Sequence, residues 1–194
     1  MKYLALLFWL AAPFWETAAP ADWSDSQLKG LLTDSPWAQL VGATGSSSAR
    51  AIQVLVATAG PIEQGELEWD RRFTKKKAEP DLMKEEYRVW LQDNRATHIV
   101  LAISAAKNDQ LSDESEIRRM EEQSVMIVGR KKYKMTGHFP PSAGDPYLRI
   151  AFPREVTAAD KSVNFELYVP GVGIPFRSVE FRVKDMTVKG KLEI

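Results

Sequence analysis

From Ser124 to the C-terminus the apolar residues fall on every second position. Val163, Phe165, Leu167 and Val169 alternate with Asn164, Glu166 and Tyr168, and Val179, Phe181 and Val183 alternate with Glu180, Arg182 and Lys184. Successive side chains of a strand point to opposite faces, so this pattern buries one face and wets the other. It commits the second half of the chain to an antiparallel sheet. Strands are expected over 125–128, 147–152, 163–169, 179–184 and 187–194. Residues 171–175 form a turn between two of them, and 136–146 is the longest irregular stretch. Gly190 within the last strand implies a bulge or a close backbone approach. Asp185-Met186 reads as a tight hairpin connection.

The first half reads differently. Ser24 with Gln27 three residues on has capping-box spacing, ahead of Leu28, Leu31 and Leu32. Ser35-Pro36 looks like a second helix start, with Trp37 and Leu40 on one face, so 22–40 is expected to hold two short helices. Residues 42–50 are linker-like in composition. The β-rich run 51–59 is a strand that Gly60-Pro61 ends. Residues 67–78 are charged and fit no period. Asp81 caps a helix to about residue 94, carrying Met83, Tyr87, Trp90 and Leu91 at helical spacing. The run 97–105 is continuous enough to be a strand buried on both faces. Asp113 and Glu116 mark a helix over 113–122. The sum is an α+β fold: a mostly antiparallel sheet of six or seven strands, curled or helix-backed, with two to four short helices toward the N-terminal half.

At the N-terminus, Lys2 precedes an apolar run over 4–14, and small residues follow to Ala19-Pro20-Ala21. That order matches a cleavable signal peptide, and the run is too short to span a bilayer. The expected division is a signal peptide over 1–21, short helices and linker over 22–50, and one α+β domain over 51–194. The expected location is periplasmic or extracellular, with no transmembrane segment after cleavage. The chain has no cysteine, so an exported form relies on its core without disulfides, and thiol catalysis and thiolate metal sites are excluded. Lys plus Arg and Asp plus Glu both number 26, which argues against a nucleic-acid-coating role.

No catalytic motif, metal site or cofactor site emerges. The chain has two histidines, His98 and His138, without metal-ligand spacing. No Gly-x-Ser-x-Gly elbow occurs. Glu63, Glu66 and Glu68 are the densest carboxylates near a strand end, and solvated charge is the simpler reading. The candidate ligand-binding residues are His138, on the long loop, and Trp69 and Trp90, with Trp37 a further groove candidate. Arg71, Arg72, Lys75, Lys76 and Lys77 form one basic cluster, and Arg130, Lys131, Lys132 and Lys134 another. Together they would make an anion-binding patch; separately they read as solvated charge and as lysines guarding a sheet edge.

Two segments carry a resemblance. Ser35-Pro36-Trp37-Ala38 opens the chain after the apolar run, and Lys184-Asp185-Met186 with Gly190-Lys191-Leu192-Glu193-Ile194 closes it. The chain resembles a group of uncharacterised exported bacterial proteins with a Ser-Pro-Trp-Ala segment and a Lys-Asp-Met…Gly-Lys-Leu-Glu-Leu ending, from which Ile194 departs. The resemblance implies export and carries no activity or site residue. The functional expectation is a non-enzymatic binding or interaction domain of the cell envelope, taking an apolar ligand or an envelope partner. The alternative is a carboxylate-dependent hydrolase of envelope polymers.

Overall fold

The computed structural model describes residues 12–42, 51–74, 81–104 and 109–194. Residues 1–11 of the expected signal peptide, most of the expected linker, and Lys75, Lys76 and Lys77 lie outside the described residues.

A short helix α1 (Phe14–Thr17) and a 3-10 turn (Pro20–Asp22) lead into α2 (Asp25–Thr33). Ser24 accepts the Gln27 N–H while the Gln27 side chain accepts the Ser24 N–H, so the expected capping box is formed. There follow β1 (Ala38–Val41), β2 (Ile52–Val56), α3 (Gly60–Phe73), α4 (Leu82–Asn94) and β3 (His98–Ser104). Then come α5 (Glu114–Gln123), β4 (Val125–Val128), β5 (Lys131–Lys134), β6 (Gly137–Phe139), β7 (Tyr147–Pro153), β8 (Ser162–Tyr168) and β9 (Phe176–Arg182). The pair β10 (Thr187–Val188) and β11 (Lys191–Leu192) closes the chain.

The broad α+β class holds, and every strand pair is antiparallel. The expected single sheet of six or seven strands is instead, among the described residues, a five-stranded sheet β1-β2-β3-β7-β6, a four-stranded sheet β5-β4-β8-β9, and the small β10-β11 hairpin. The division follows from burial. Ile99, Leu101, Ile103, Leu148, Ile150 and Phe152 share one face of the five-stranded sheet through their register, and each is fully buried. That face meets the alternating face of the four-stranded sheet, where Phe152 packs on Phe165 at 5.3 Å and Phe165 on Phe181 at 6.1 Å. Two sheets stacked this way bury both inner faces at once.

The other face of the five-stranded sheet presents Leu55, Val100, Ala102, Arg149 and Ala151, and α2, α3 and α4 cover it. The result is three layers: helices, five-stranded sheet, four-stranded sheet. β3 and β7 are buried on both faces because they lie in the middle layer, and their central residues are buried without interruption.

Several local expectations change. The second helix of 22–40 is absent. Ser35 and Ala38 exchange backbone hydrogen bonds at 3.1 Å and the Ser35 hydroxyl accepts the Trp37 N–H at 3.3 Å, so Pro36 sits in a tight turn feeding β1. Gly60-Pro61 starts α3 rather than merely ending a strand, since proline suits a first helical turn. The buried stripe of α3 is Pro61, Ile62, Gly65 and Glu68, too poor in large apolar residues to show a period. Gly65 faces Leu31 and Leu32 of α2, where an added Cβ would come within 3.2 Å of both side chains. Strand β6 occupies part of the stretch 136–146 expected to be irregular, and β5 is a further strand where the sequence singles out only a basic cluster. Lys189 (φ +48°) and Gly190 (φ +78°) turn the β10-β11 hairpin, so residues 187–194 are not one strand. Residues 183–185 form a 3-10 turn in place of the expected tight hairpin.

Glu68 is buried at the α2–α3 contact and meets Arg71 at 2.5 Å and Arg72 at 2.6 Å, while Arg72 reaches Asp25 of α2 at 2.8 Å. The hydrogen bond from Arg71, aided by Arg72, holds the Glu68 carboxyl down to about 2 from an ordinary 4.5. A carboxyl depressed in the folded state contributes stability above its unfolded value and loses it as pH falls. Glu68→Gln is therefore expected to be less stable than the unmutated protein at pH 6, with the difference closing between pH 4.5 and 2. Thermal unfolding across that range checks this.

The C-terminal residues close the β1 end of the molecule. The Trp37 indole N–H donates to the Glu193 carbonyl at 2.6 Å, Arg154 donates to the Ile194 carbonyl, and Ile194 is buried. Deleting residues 187–194 strands the Trp37 donor and uncovers apolar surface. The expected loss is about 3–6 kcal/mol, read by urea unfolding.

Candidate functional site

Two features stand out on the helical side of the five-stranded sheet: a buried ionic cluster and, beside it, an open apolar groove.

The cluster centres on Arg149 of β7, which is 5% exposed. Its Nε donates to Asp145 at 2.6 Å, and its terminal nitrogens reach Glu66 of α3 at 3.1 and 3.3 Å. The guanidinium lies 4.4 Å from the Tyr87 ring centroid and 5.7 Å from that of Tyr147. A planar, weakly hydrated cation suits this place, paired at its edges and stacked on its face. Burial pushes the Tyr87 and Tyr147 hydroxyls up to about 12. Burial also raises the Glu66 carboxyl, against the pull of Arg149, while its carboxylate partners keep Arg149 charged.

The loop before β7 is tied to α4. Asp81, the N-cap of α4, accepts the Met83 and Lys84 N–H groups at 3.1 Å and the Gly144 N–H at 2.5 Å. The Ser142 hydroxyl and these backbone donors hold its carboxyl below the ordinary range. Lys84 bridges Asp70 of α3 and the Gly144 carbonyl. An added Cβ at Gly144 would lie 2.8 Å from the Asp81 carboxylate, so the close approach requires glycine. Together these contacts clamp α3, α4 and the 142–145 turn onto β7.

Chemically the cluster is a clamp: Glu66 and Asp145 both bind Arg149. No group of three or more His, Asp or Glu side chains able to hold a metal forms among the described residues.

The groove lies between α4 and the edge strand β6. It is about 490 Å³, lined by Leu82, Val89, Trp90 and Phe139, with Glu85 and Glu86 on its rim. Trp90 is wedged between His98 at 5.2 Å and Phe139 at 5.3 Å, and Phe139 also meets Tyr87 at 5.2 Å. Leu82 is 79% exposed and Val89 53% exposed. Leu82 and Val89 are two turns apart on α4, with Glu85 and Glu86 on the turn between them, so the helix side of the groove mixes exposed aliphatic and acidic residues beside aromatic walls.

No family model, curated protein or solved structure matches this chain.

The sequence-derived candidates separate. Trp90 lines the groove. His138 does not: it pairs with Ile150 across β6-β7 and so faces the opposite side of the sheet from Phe139. There it lies 3.8 Å from Glu121 of α5, and burial lowers its pKa against the pull of that carboxylate. Trp69 is on α3, packed against Phe73 at 4.5 Å with the rings tilted by 49°, outside the groove lining. Trp37 is fully buried at the other end of the sheet. Of the basic residues, Arg71 and Arg72 are paired within the helical layer, whereas Lys131 and Lys132 are on β5, an edge of the four-stranded sheet. Sequence reasoning missed Arg149, Asp145 and Tyr147 altogether. The one available signal was an arginine inside the otherwise apolar run Leu148-Arg149-Ile150-Ala151-Phe152, where an unpaired charge would be prohibitive.

The clamp reading predicts an asymmetric mutational response. Arg149→Met leaves Asp145 buried without its partner and is expected to cost about 3–5 kcal/mol in urea unfolding at pH 7. Adding Glu66→Gln and Asp145→Asn to that variant removes the orphaned charges, and much of the loss should return. A triple variant no more stable than the single one would contradict the clamp.

Proposed function

We propose that this protein is an exported binding domain of the cell envelope whose docking surface is the groove between α4 and β6. The carrying observation is the joint exposure of Leu82 and Val89 beside Trp90 and Phe139, with Glu85 and Glu86 on the intervening turn of α4. An apolar trough beside Glu86 and Glu85, the latter also 3.6 Å from the exposed Arg88, complements a partner segment that carries apolar residues together with Lys or Arg. An amphipathic helix laid into a groove is the recurring form of such recognition. The groove is open rather than enclosed, which suits a protein partner better than an enclosed small molecule.

Export rests on the N-terminal order of charge, apolar run and small residues, and on the resemblance of both chain ends to exported proteins. Among the described residues no helix is long and apolar enough to cross a membrane. The hydrolase alternative is not favoured, because Glu66 and Asp145, the carboxylates that the cluster brings together, are both bonded to Arg149.

The reading is tested with a panel of amphipathic helical peptides, identical in their leucine stripe and carrying either lysine or glutamate on the flanks. Lysine peptides are expected to shift tryptophan emission saturably and glutamate peptides to leave it unchanged. Val89→Glu should abolish the shift while changing stability by no more than about 0.5 kcal/mol, since Val89 is on the surface. No response to any peptide would overturn the proposal.

A further inference from the structure

The opposite edge of the five-stranded sheet carries a second aromatic assembly, built from residues far apart in sequence. Trp37, just before β1, is closed on one side by its hydrogen bond to the Glu193 carbonyl. Trp15 packs edge-on against it at 5.6 Å with the rings 80° apart. Phe14 packs edge-on against Trp15 at 4.9 Å and against Trp23 at 5.4 Å. The Trp23 indole N–H donates to the Ala18 carbonyl at 3.2 Å. The Lys189 amide, at the turn of the β10-β11 hairpin, donates to the Glu16 carboxylate at 2.9 Å. Farther along, Arg72 donates to the Ala21 carbonyl at 3.2 Å.

These contacts divide into a seat and an occupant. The seat is the folded domain's: two indoles, an indole N–H facing a backbone carbonyl, and a backbone N–H facing a carboxylate. The occupant is the segment 14–18, which supplies two aromatic rings, one carboxylate and one carbonyl. Edge-to-face ring contacts are directional, and the Lys189 N–H donates only to an acceptor placed opposite it. The seat therefore selects for sequence order, aromatic-aromatic-acidic, beyond mere apolarity. With the occupant in place Trp23 is 2% exposed and Trp37 is not exposed at all. A chain cut after Ala21 lacks the ring contacts of Phe14 with Trp23 and of Trp15 with Trp37, and indoles that lose such contacts make a recognition surface.

We propose that Trp23, Trp37 and the Lys189 amide form a peptide-binding site for an aromatic-aromatic-acidic segment. Residues 14–16 fill it in the uncut chain; in the chain cut after Ala21 a partner protein's segment of the same chemistry fills it. The site is at the β1 edge of the sheet, away from the α4–β6 groove, and stands or falls independently of it.

The test uses the protein as purified after export, its N-terminus established by intact mass. For a chain beginning at Asp22, the probe is the end-blocked peptide Ala-Pro-Phe-Trp-Glu-Thr-Ala, matching residues 12–18, followed by heteronuclear NMR. The peptide is expected to shift the Trp23 and Trp37 indole signals and the Lys189 amide signal saturably. A scrambled peptide should not, and exchanging the peptide's Glu for Lys should weaken binding at least about tenfold. No shift with the matching peptide, or an equal shift with the scrambled one, overturns the proposal. For a chain that retains residues 12–21, Glu16→Ala is expected to remove hydrogen-exchange protection of the Lys189 amide, and Trp15→Ala to move the Trp37 indole signal. Unchanged spectra in both variants overturn it.

Discussion

The middle sheet of this protein has no face of its own for water. β3 and β7 carry unbroken apolar cores, and a strand buried on both sides must be covered on both sides. One cover is the four-stranded sheet, joined through Phe152, Phe165 and Phe181. The other is the helical layer. The number of layers answers to that demand.

The helical cover is unusual in relying on charge as well as apolar contact. Small residues on the helix-facing side of the middle sheet leave room, and Arg149 fills part of it. Its guanidinium binds Asp145 and Glu66 and stacks on Tyr87, so one residue of β7 connects α3, α4 and the preceding loop. Buried ion pairs of this kind contribute little net stability over an apolar core, but their geometry is directional, and they fix where helices sit. A rigid α4 in turn holds Leu82 and Val89 outward and Trp90 against Phe139. The groove is thus a consequence of how the clamp orients one helix.

Both proposed recognition surfaces are at the two edges of the same sheet, β6 and β1. Sheet edges are where apolar side chains run out of neighbours. At the β6 edge a helix and an edge strand leave a trough with an acidic rim. At the β1 edge the chain covers its own indoles with residues from before the first long helix. The two differ in kind: the first is open and complementary to a broad amphipathic surface, the second is filled and selective for the order of a few side chains.

The sequence by itself determined the local elements whose signals are local. The capping box of α2, the Asp81 cap of α4, the doubly buried β3 and the one-sided alternation of β8 and β9 were all readable, because each depends on spacing within one element. It could not show α3, whose buried stripe includes a glycine and a paired glutamate; these are meaningful only against Leu31, Leu32 and Arg72 from elsewhere in the chain or turn. It misread Ser35-Pro36-Trp37 as a helix because the Trp37 partner is Glu193, 156 residues away. Trp90 was singled out, yet its groove mate Phe139 and the clamp residue Arg149 were not, since which strand carries them beside α4 is a matter of sheet order. Tertiary structure alone decided that the strands divide into two stacked sheets, because alternation states that a face is buried and never against what.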